Sequence, residues 1–287
     1  MAHRQLMILG SGSAALTLLL LLFGCSGDDE TTGLARRPGE VLPVLVEVDV
    51  PYSSSFDLDV YHPDATGPWP VAVVFHGGEV LKSSVRSYAS AVAERGVVVF
   101  VPEYSSTPEQ VSDVLHLGGE DAVCAMRFAR AHASDFDGHG DRIVVAGASY
   151  GANVAALMVV AADEFEGGCV AGSEVSPAAD GLVGLDGMYD FTELPRELGF
   201  HEDYTVEEME RASAITYVEP AELEDDTPIE LFTGREAVTQ HQAALFSDSL
   251  TAAGYEVVLV PQPELAHGAY GGVAPGTVEA LTDMAFG

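Results

Sequence analysis

The chain has 287 residues, enough for one large domain or two small ones, and 47% of them are hydrophobic, ample for a sizeable core. Its formal charge of −33, from 12 Lys+Arg against 45 Asp+Glu, excludes nucleic acid as a partner, because neutralising phosphates takes a basic patch. The acids are spread along the chain, which is the pattern of a solvated surface.

The first 25 residues differ from the rest. His3 and Arg4 open a weakly basic stretch, Leu6 to Phe23 is almost wholly apolar, and Gly24-Cys25 closes it. With Leu22 three before Cys25, this ending resembles the lipobox of bacterial lipoprotein signal peptides. That resemblance implies cleavage before Cys25, a lipid on Cys25 and an extracytoplasmic, membrane-anchored body. A plain transmembrane anchor is the alternative, since the apolar run is just long enough to span, and it leaves the body on the same side. Residues 26–43, rich in Gly, Pro and charge, read as a flexible linker, so the folded domain is expected over 44–287.

Within that domain Val44–Val50 and Phe56–Tyr61 alternate apolar with acidic residues, the period of half-exposed antiparallel strands at a sheet edge. Val71–Phe75 and Val97–Val101 are solid apolar runs, separated by a helical pattern over 84–95 that stops at Gly96. A helix is predicted over 118–133, a buried strand over Ile143–Ala146, a helix over 150–162 and a weaker strand over 181–186. Residues 188–227 are acid-rich and irregular, with short helical pieces at most. Then follow a strand at Ile229–Phe232, a helix over 239–253, a strand at Glu256–Val260 and a last helix over 275–286. Solid strands alternating with helices, after two alternating ones, mean a mostly parallel sheet with an antiparallel start, in one α/β domain. Such a sheet places ligands at the carboxyl ends of its strands.

Gly147-Ala148-Ser149-Tyr150-Gly151 sits where a β-branched run gives way to an alanine-rich one. A nucleophile on that sharp turn takes strained backbone angles, and only small flanking residues avoid colliding with it. The helix N-terminus behind it favours developing negative charge.

Here the chain resembles the α/β-hydrolase superfamily over roughly residues 44–287. It is most similar to esterase branches with a His-Gly-Gly loop, such as hormone-sensitive-lipase-like and feruloyl or acetyl-xylan esterase-like proteins. The matching pieces are His76-Gly77-Gly78, Asp141-Arg142-Ile143 leading to the serine, Asp186-Gly187-Met188-Tyr189-Asp190, and Leu265-Ala266-His267-Gly268. The likeness implies an α/β-hydrolase fold and a serine hydrolase with no cofactor. A serine hydroxyl needs a base beside it, and His267, in the loop after the last strand, is the candidate. The family's acid follows the strand ending at Phe232, on a loop written Gly-x-x-Asp. This chain has Gly234-Arg235-Glu236-Ala237 there, so Glu236 is the nearest acid and the expected third member. Asp225 and Asp226 precede that strand at its wrong end, and Asp248 lies inside the next helix. Should Glu236 not serve, the triad is incomplete or completed from another loop.

The amide of Tyr150, with Gly77 and Gly78, would supply the oxyanion hole. Glu79 stands where the family often has a third glycine, which puts the shape of the hole in question. His76 resembles the family's loop histidine, which shapes the turn. The stretch 188–227 is where the family carries a cap. Its Tyr189, Phe191, Phe200 and Tyr204 would line a pocket or, in the blander reading, anchor the insertion. With Cys25 assigned to lipid, Cys124 and Cys169 flank the serine segment, either as a disulfide or as two buried thiols. No His/Cys/carboxylate cluster has metal-ligand spacing. The leading expectation is a serine carboxylesterase acting on a small-molecule or polysaccharide-linked ester. A serine peptidase or amidase on the same fold, and a non-catalytic binding lipoprotein, are the alternatives.

Overall fold

The computed structural model describes residues 41–106, 117–167, 169, 175–198, 200–220 and 227–287. Cys25 with its leader, nearly all of the 26–43 linker, His116, Asp225–Asp226 and the Phe200 side chain lie outside the described residues.

Eight strands, β1 (Val44–Pro51), β2 (Asp57–Pro63), β3 (Trp69–Phe75), β4 (Val98–Pro102), β5 (Gly138–Ala148), β6 (Leu182–Leu185), β7 (Ile229–Thr233) and β8 (Val257–Pro261), form one sheet. Their spatial order is β1-β2-β4-β3-β5-β6-β7-β8. The β1–β2 and β2–β4 pairs are antiparallel, and every other pair is parallel. The fold is that of the α/β-hydrolases, with antiparallel strands at the N-terminal end.

The helices are α1 (Arg86–Ala93), α2 (Leu117–His132), α3 (Tyr150–Val160), α4 (Phe200–Asp203), α5 (Val206–Ala212), α6 (Ala237–Ala253) and α7 (Thr277–Phe286). They cover both faces of the sheet, which is why its inner strands read as solid apolar runs. Along β3, Val71, Val73 and Phe75 join one core with Met126, Leu157 and Phe246 of α2, α3 and α6. Ala72 and Val74 point the other way, to Tyr88 of α1 and Leu281 of α7. This is the period of two that a strand imposes.

The two alternating strands have different fates. β1 forms one edge of the sheet and exposes Leu45, Val46 and Val48. β2 was expected to be half-exposed but is nearly all buried, because it lies inside the sheet and packs Leu58 and Val60 into one core and Tyr61 into the other. Its acidic Asp59 is buried as well and is paired with Lys82. β5 also begins earlier than its apolar run, at Gly138, through a pairing with Trp69 ahead of a register shift. The 188–220 insertion carries only short helices, and α5 opens on a capping box of Thr205 and Glu208.

Candidate active site

Ser149 has φ 56° and ψ −120°, a conformation that L-residues avoid, on the turn from β5 into α3. The flanking glycines are sterically enforced. A Cβ on Gly147 would lie 2.0 Å from the Gly151 carbonyl oxygen, and one on Gly151 would lie 2.2 Å from the His76 carbonyl oxygen. The backbone thus passes too close on both sides for any side chain, and the hydroxyl is lifted to the carboxyl end of the sheet.

His267 begins a short 3-10 turn after β8 and brings Nε2 to 2.9 Å from Ser149 Oγ. Its other nitrogen, Nδ1, lies 2.6 Å from Asp186 Oδ2. A carboxylate only accepts, so Nδ1 carries the proton and Nε2 is left to accept from the serine. Ser149 and His267 therefore meet as the sequence predicted.

The acid does not. Asp186, fully buried at the tip of β6, occupies the place assigned to Glu236. Adjacent parallel strands put it there: the Ser149 amide donates to Leu185 O, and the Asp186 amide to Phe232 O. Its second oxygen, Oδ1, accepts from the Gly234 amide at 2.7 Å, on the very loop expected to carry the acid. Glu236 is instead the N-cap of α6, because β7 turns into the helix almost at once. Its Oε1 faces Arg235 Nε at 3.4 Å, and it acts on His267 only as a nearby charge. The clue in the sequence was Asp186 closing the weaker strand just before Gly187, a signal that gains meaning only once β6 is known to lie beside β5.

Burial pushes the Asp186 carboxyl upward, but the bonds from His267, Thr239 and the Gly234 amide outweigh it and hold it below the usual carboxylate range. The Asp186 bond in turn raises His267 above its ordinary value, against the opposing effect of burial. The loop bearing Asp186 is clamped from α6: Gln242, wholly buried, accepts from the amides of Tyr189 and Asp190, both at 2.8 Å, and donates to Asp190 O at 2.9 Å.

Gly77 and Gly78 pack on the nucleophile turn. A Cβ on Gly77 would sit 3.6 Å from Ser149 Cβ, and one on Gly78 would sit 3.5 Å from Tyr150 Cβ. Glu79 resolves its own question: its backbone is left-handed at φ 58°, its side chain is exposed, and its amide is taken by Ser106 O at 3.0 Å. The carboxylate thus faces water. Lys82, at the far end of this loop, lies 2.8 Å from both Asp49 and Asp59 and also contacts Asp57.

Cys124 of α2 and Cys169 are joined as a disulfide. Tyr189 and Phe191 are fully buried and anchor the insertion, with Tyr189 stacked on Phe246 and Phe191 edge-on to Tyr150; Tyr204 is half-buried at its margin. His132 is half-buried against Phe128 and His139 is exposed, each beside an aspartate. Among the described residues no group of three or more His, Cys, Asp or Glu is placed to hold a metal.

The sequence profile of BD-FAE matches residues 58–250, well over half of the chain and including the serine turn and Asp186. The chain belongs to the BD-FAE family. Carboxylesterase NlhH of Mycobacterium tuberculosis is 26% identical to this BD-FAE protein over 278 residues, covering 85% of this chain and 82% of that one. A probable isoprenylcysteine alpha-carbonyl methylesterase of Arabidopsis thaliana is 30% identical over 145 residues, or 48% of this chain and only 29% of the plant protein. Among solved structures, a truncated carbohydrate esterase from gut microbiota superposes with a TM-score of 0.69 at 17% identity, covering 88% of this chain and 98% of that one. That last likeness is one of fold.

Proposed function

We propose that this BD-FAE protein is a serine carboxylesterase working through an acyl-enzyme, with Ser149 as nucleophile, His267 as base and Asp186 as the acid. The observation that carries the reading is the unbroken line Ser149 Oγ–His267–Asp186, at 2.9 and 2.6 Å, on a strained strand-to-helix turn. The kinship with a carboxylesterase and a methylesterase supports ester chemistry rather than amide chemistry.

Ser149 Oγ attacks the ester carbonyl carbon while its proton passes to His267 Nε2. The imidazolium so formed is stabilised by Asp186, whose Oδ1 is pinned by the Gly234 amide and so cannot swing away. The tetrahedral oxyanion is received by the amides of Gly77, Gly78 and Tyr150. On collapse the carbon–alkoxy bond breaks, and the alcohol leaves with the proton from Nε2. Water then repeats the sequence on the acyl-serine, giving the acid and restoring Ser149. The substrate is a small or carbohydrate-linked ester, and the enzyme works outside the cytoplasm, tethered through lipid on Cys25.

Replacing Ser149→Ala tests the reading. The variant should keep its circular-dichroism spectrum and lose hydrolysis of short p-nitrophenyl esters; undiminished turnover would refute the assignment. Radiolabelled palmitate incorporation, abolished by Cys25→Ser, tests the anchor.

A further inference from the structure

The turn after the two loop glycines carries an exposed apolar side chain back toward the nucleophile. Residues 78 and 79 form the turn, and Glu79 takes φ 58° in it, a strained conformation for a residue with a side chain. The next side chain, Val80, folds over Gly77. A Cβ on Gly77 would lie 3.6 Å from Ser149 Cβ and 3.8 Å from Val80 Cγ2, in ordinary contact with both. The valine methyl and the nucleophile therefore border one space, beside the first of the proposed oxyanion donors. Val80 is 41% exposed and joins neither buried core, so its apolar surface is open to whatever occupies that space.

Val80 is also held still. The Glu79 amide donates to Ser106 O at 3.0 Å on one side of it, and the Lys82 amide donates to Glu103 Oε2 at 3.0 Å on the other. Both acceptors lie just beyond the end of β4, so the segment is pinned at each end to the same neighbour. A β-branched side chain adds stiffness at χ1. The methyls thus form a fixed wall.

An ester bound at this serine extends two groups from its carbonyl carbon. The alkoxy oxygen takes its proton from His267 Nε2, so that group lies on the histidine's side. Asp186, Gly234 and His267 follow β6, β7 and β8, all on one side of β5 in the sheet, whereas Val80 follows β3 on the other. The acyl group is the one turned toward Val80. We propose that Val80 is the wall of the acyl subsite, and that its isopropyl group restricts the enzyme to esters of small, unbranched acids such as acetate. The inference rests on the serine esterase proposed above and names its substrate class. Val80 meets the acyl chain and takes no part in proton transfer, so it sets which ester reacts.

Acyl-length profiles test this. With p-nitrophenol as the common leaving group, wild-type kcat/KM should fall from acetate to hexanoate and to the branched pivalate. In Val80→Ala the hexanoate-to-acetate and pivalate-to-acetate ratios should rise about tenfold, the worth of a methylene against an apolar wall. Val80→Phe should lower both ratios by a similar factor. Acetates of a series of alcohols, from methyl to naphthyl, should keep their relative rates within about twofold in both variants. The site is exposed, so both variants should fold, which circular dichroism checks; should one not fold, the other decides. A wild type that prefers hexanoate overturns the inference. So does an active Val80→Ala with unmoved acyl ratios, or a shift confined to the alcohol series. In each of these cases the esterase reading stands. A wild type that hydrolyses none of the esters sinks the esterase and the subsite together.

Discussion

Asp186 and His267 are 81 residues apart in sequence and meet at 2.6 Å, with the aspartate at the tip of β6 and the histidine beyond β8. The intervening tip, on β7, contributes a backbone amide where the family resemblance led us to expect a carboxylate. The two acids of this neighbourhood therefore differ in role and should differ in cost.

Asp186→Asn should lower kcat by about 10⁴-fold while leaving KM within about twofold, as expected when the imidazole loses its orienting partner. Glu236→Gln, which touches neither ring nitrogen, should lower kcat by less than about tenfold. Steady-state kinetics on the two variants checks the pair, and the reverse ranking would restore Glu236 as the acid.

The pH profile follows from the same contact. The Asp186 bond raises His267 above its ordinary 6.5, partly offset by burial and helped by the charges of Asp186 and Glu236. Only the neutral ring acts as base, so activity is lost as pH falls through the raised value. The acid limb of kcat/KM should therefore lie above pH 6.5 and move downward in Glu236→Gln. A wild-type limb below that value contradicts this account.

The Cys124–Cys169 bridge, with a sequence separation of 45, closes a loop that contains all of β5, Ser149 and α3. Restricting the unfolded chain by a loop of that size stabilises the fold by about 4 kcal/mol in the chain-entropy account. Urea unfolding with and without reductant, or of Cys169→Ser, should show a loss of that order.

Gln242→Leu should act on stability and on turnover together. It strands the amides of Tyr189 and Asp190, at about 1–3 kcal/mol each, so destabilisation of about 3 kcal/mol is expected. Asp186 precedes this clamped segment, so kcat should fall as well. Gln242→Glu keeps the acceptor for both amides but loses the donor to Asp190 O, so it should recover only part of both. Calorimetry beside kinetics tells whether the two effects move as one.

Ser149 and His267 were legible because their signals are local: a strand-to-helix switch between obligatory glycines, and a histidine on the loop after the last strand. The sheet was legible for a similar reason, since strands covered on both faces must read as unbroken apolar runs. Asp186 was visible as a residue and invisible as a partner. Its role depends on β6 lying between β5 and β7, a neighbourhood that no spacing along the chain records. The burial of Asp59 was hidden in the same way, because an acidic alternation looks identical on an edge strand and beneath one. Gln242 looks like an ordinary surface polar until the helix bearing it is packed. The two cysteines left the choice between thiols and a bond open, and it was the fold that brought them together.

The Lys82 ammonium shared by Asp49, Asp57 and Asp59 has a further consequence. Those three carboxylates belong to β1 and β2, whereas Lys82 ends the stretch that starts at His76. A single cation thereby couples the border hairpin to the stretch that carries Gly77 and Gly78, the proposed oxyanion donors. Trimming or grafting that hairpin in an engineered descendant would therefore disturb this loop as well as the border of the sheet.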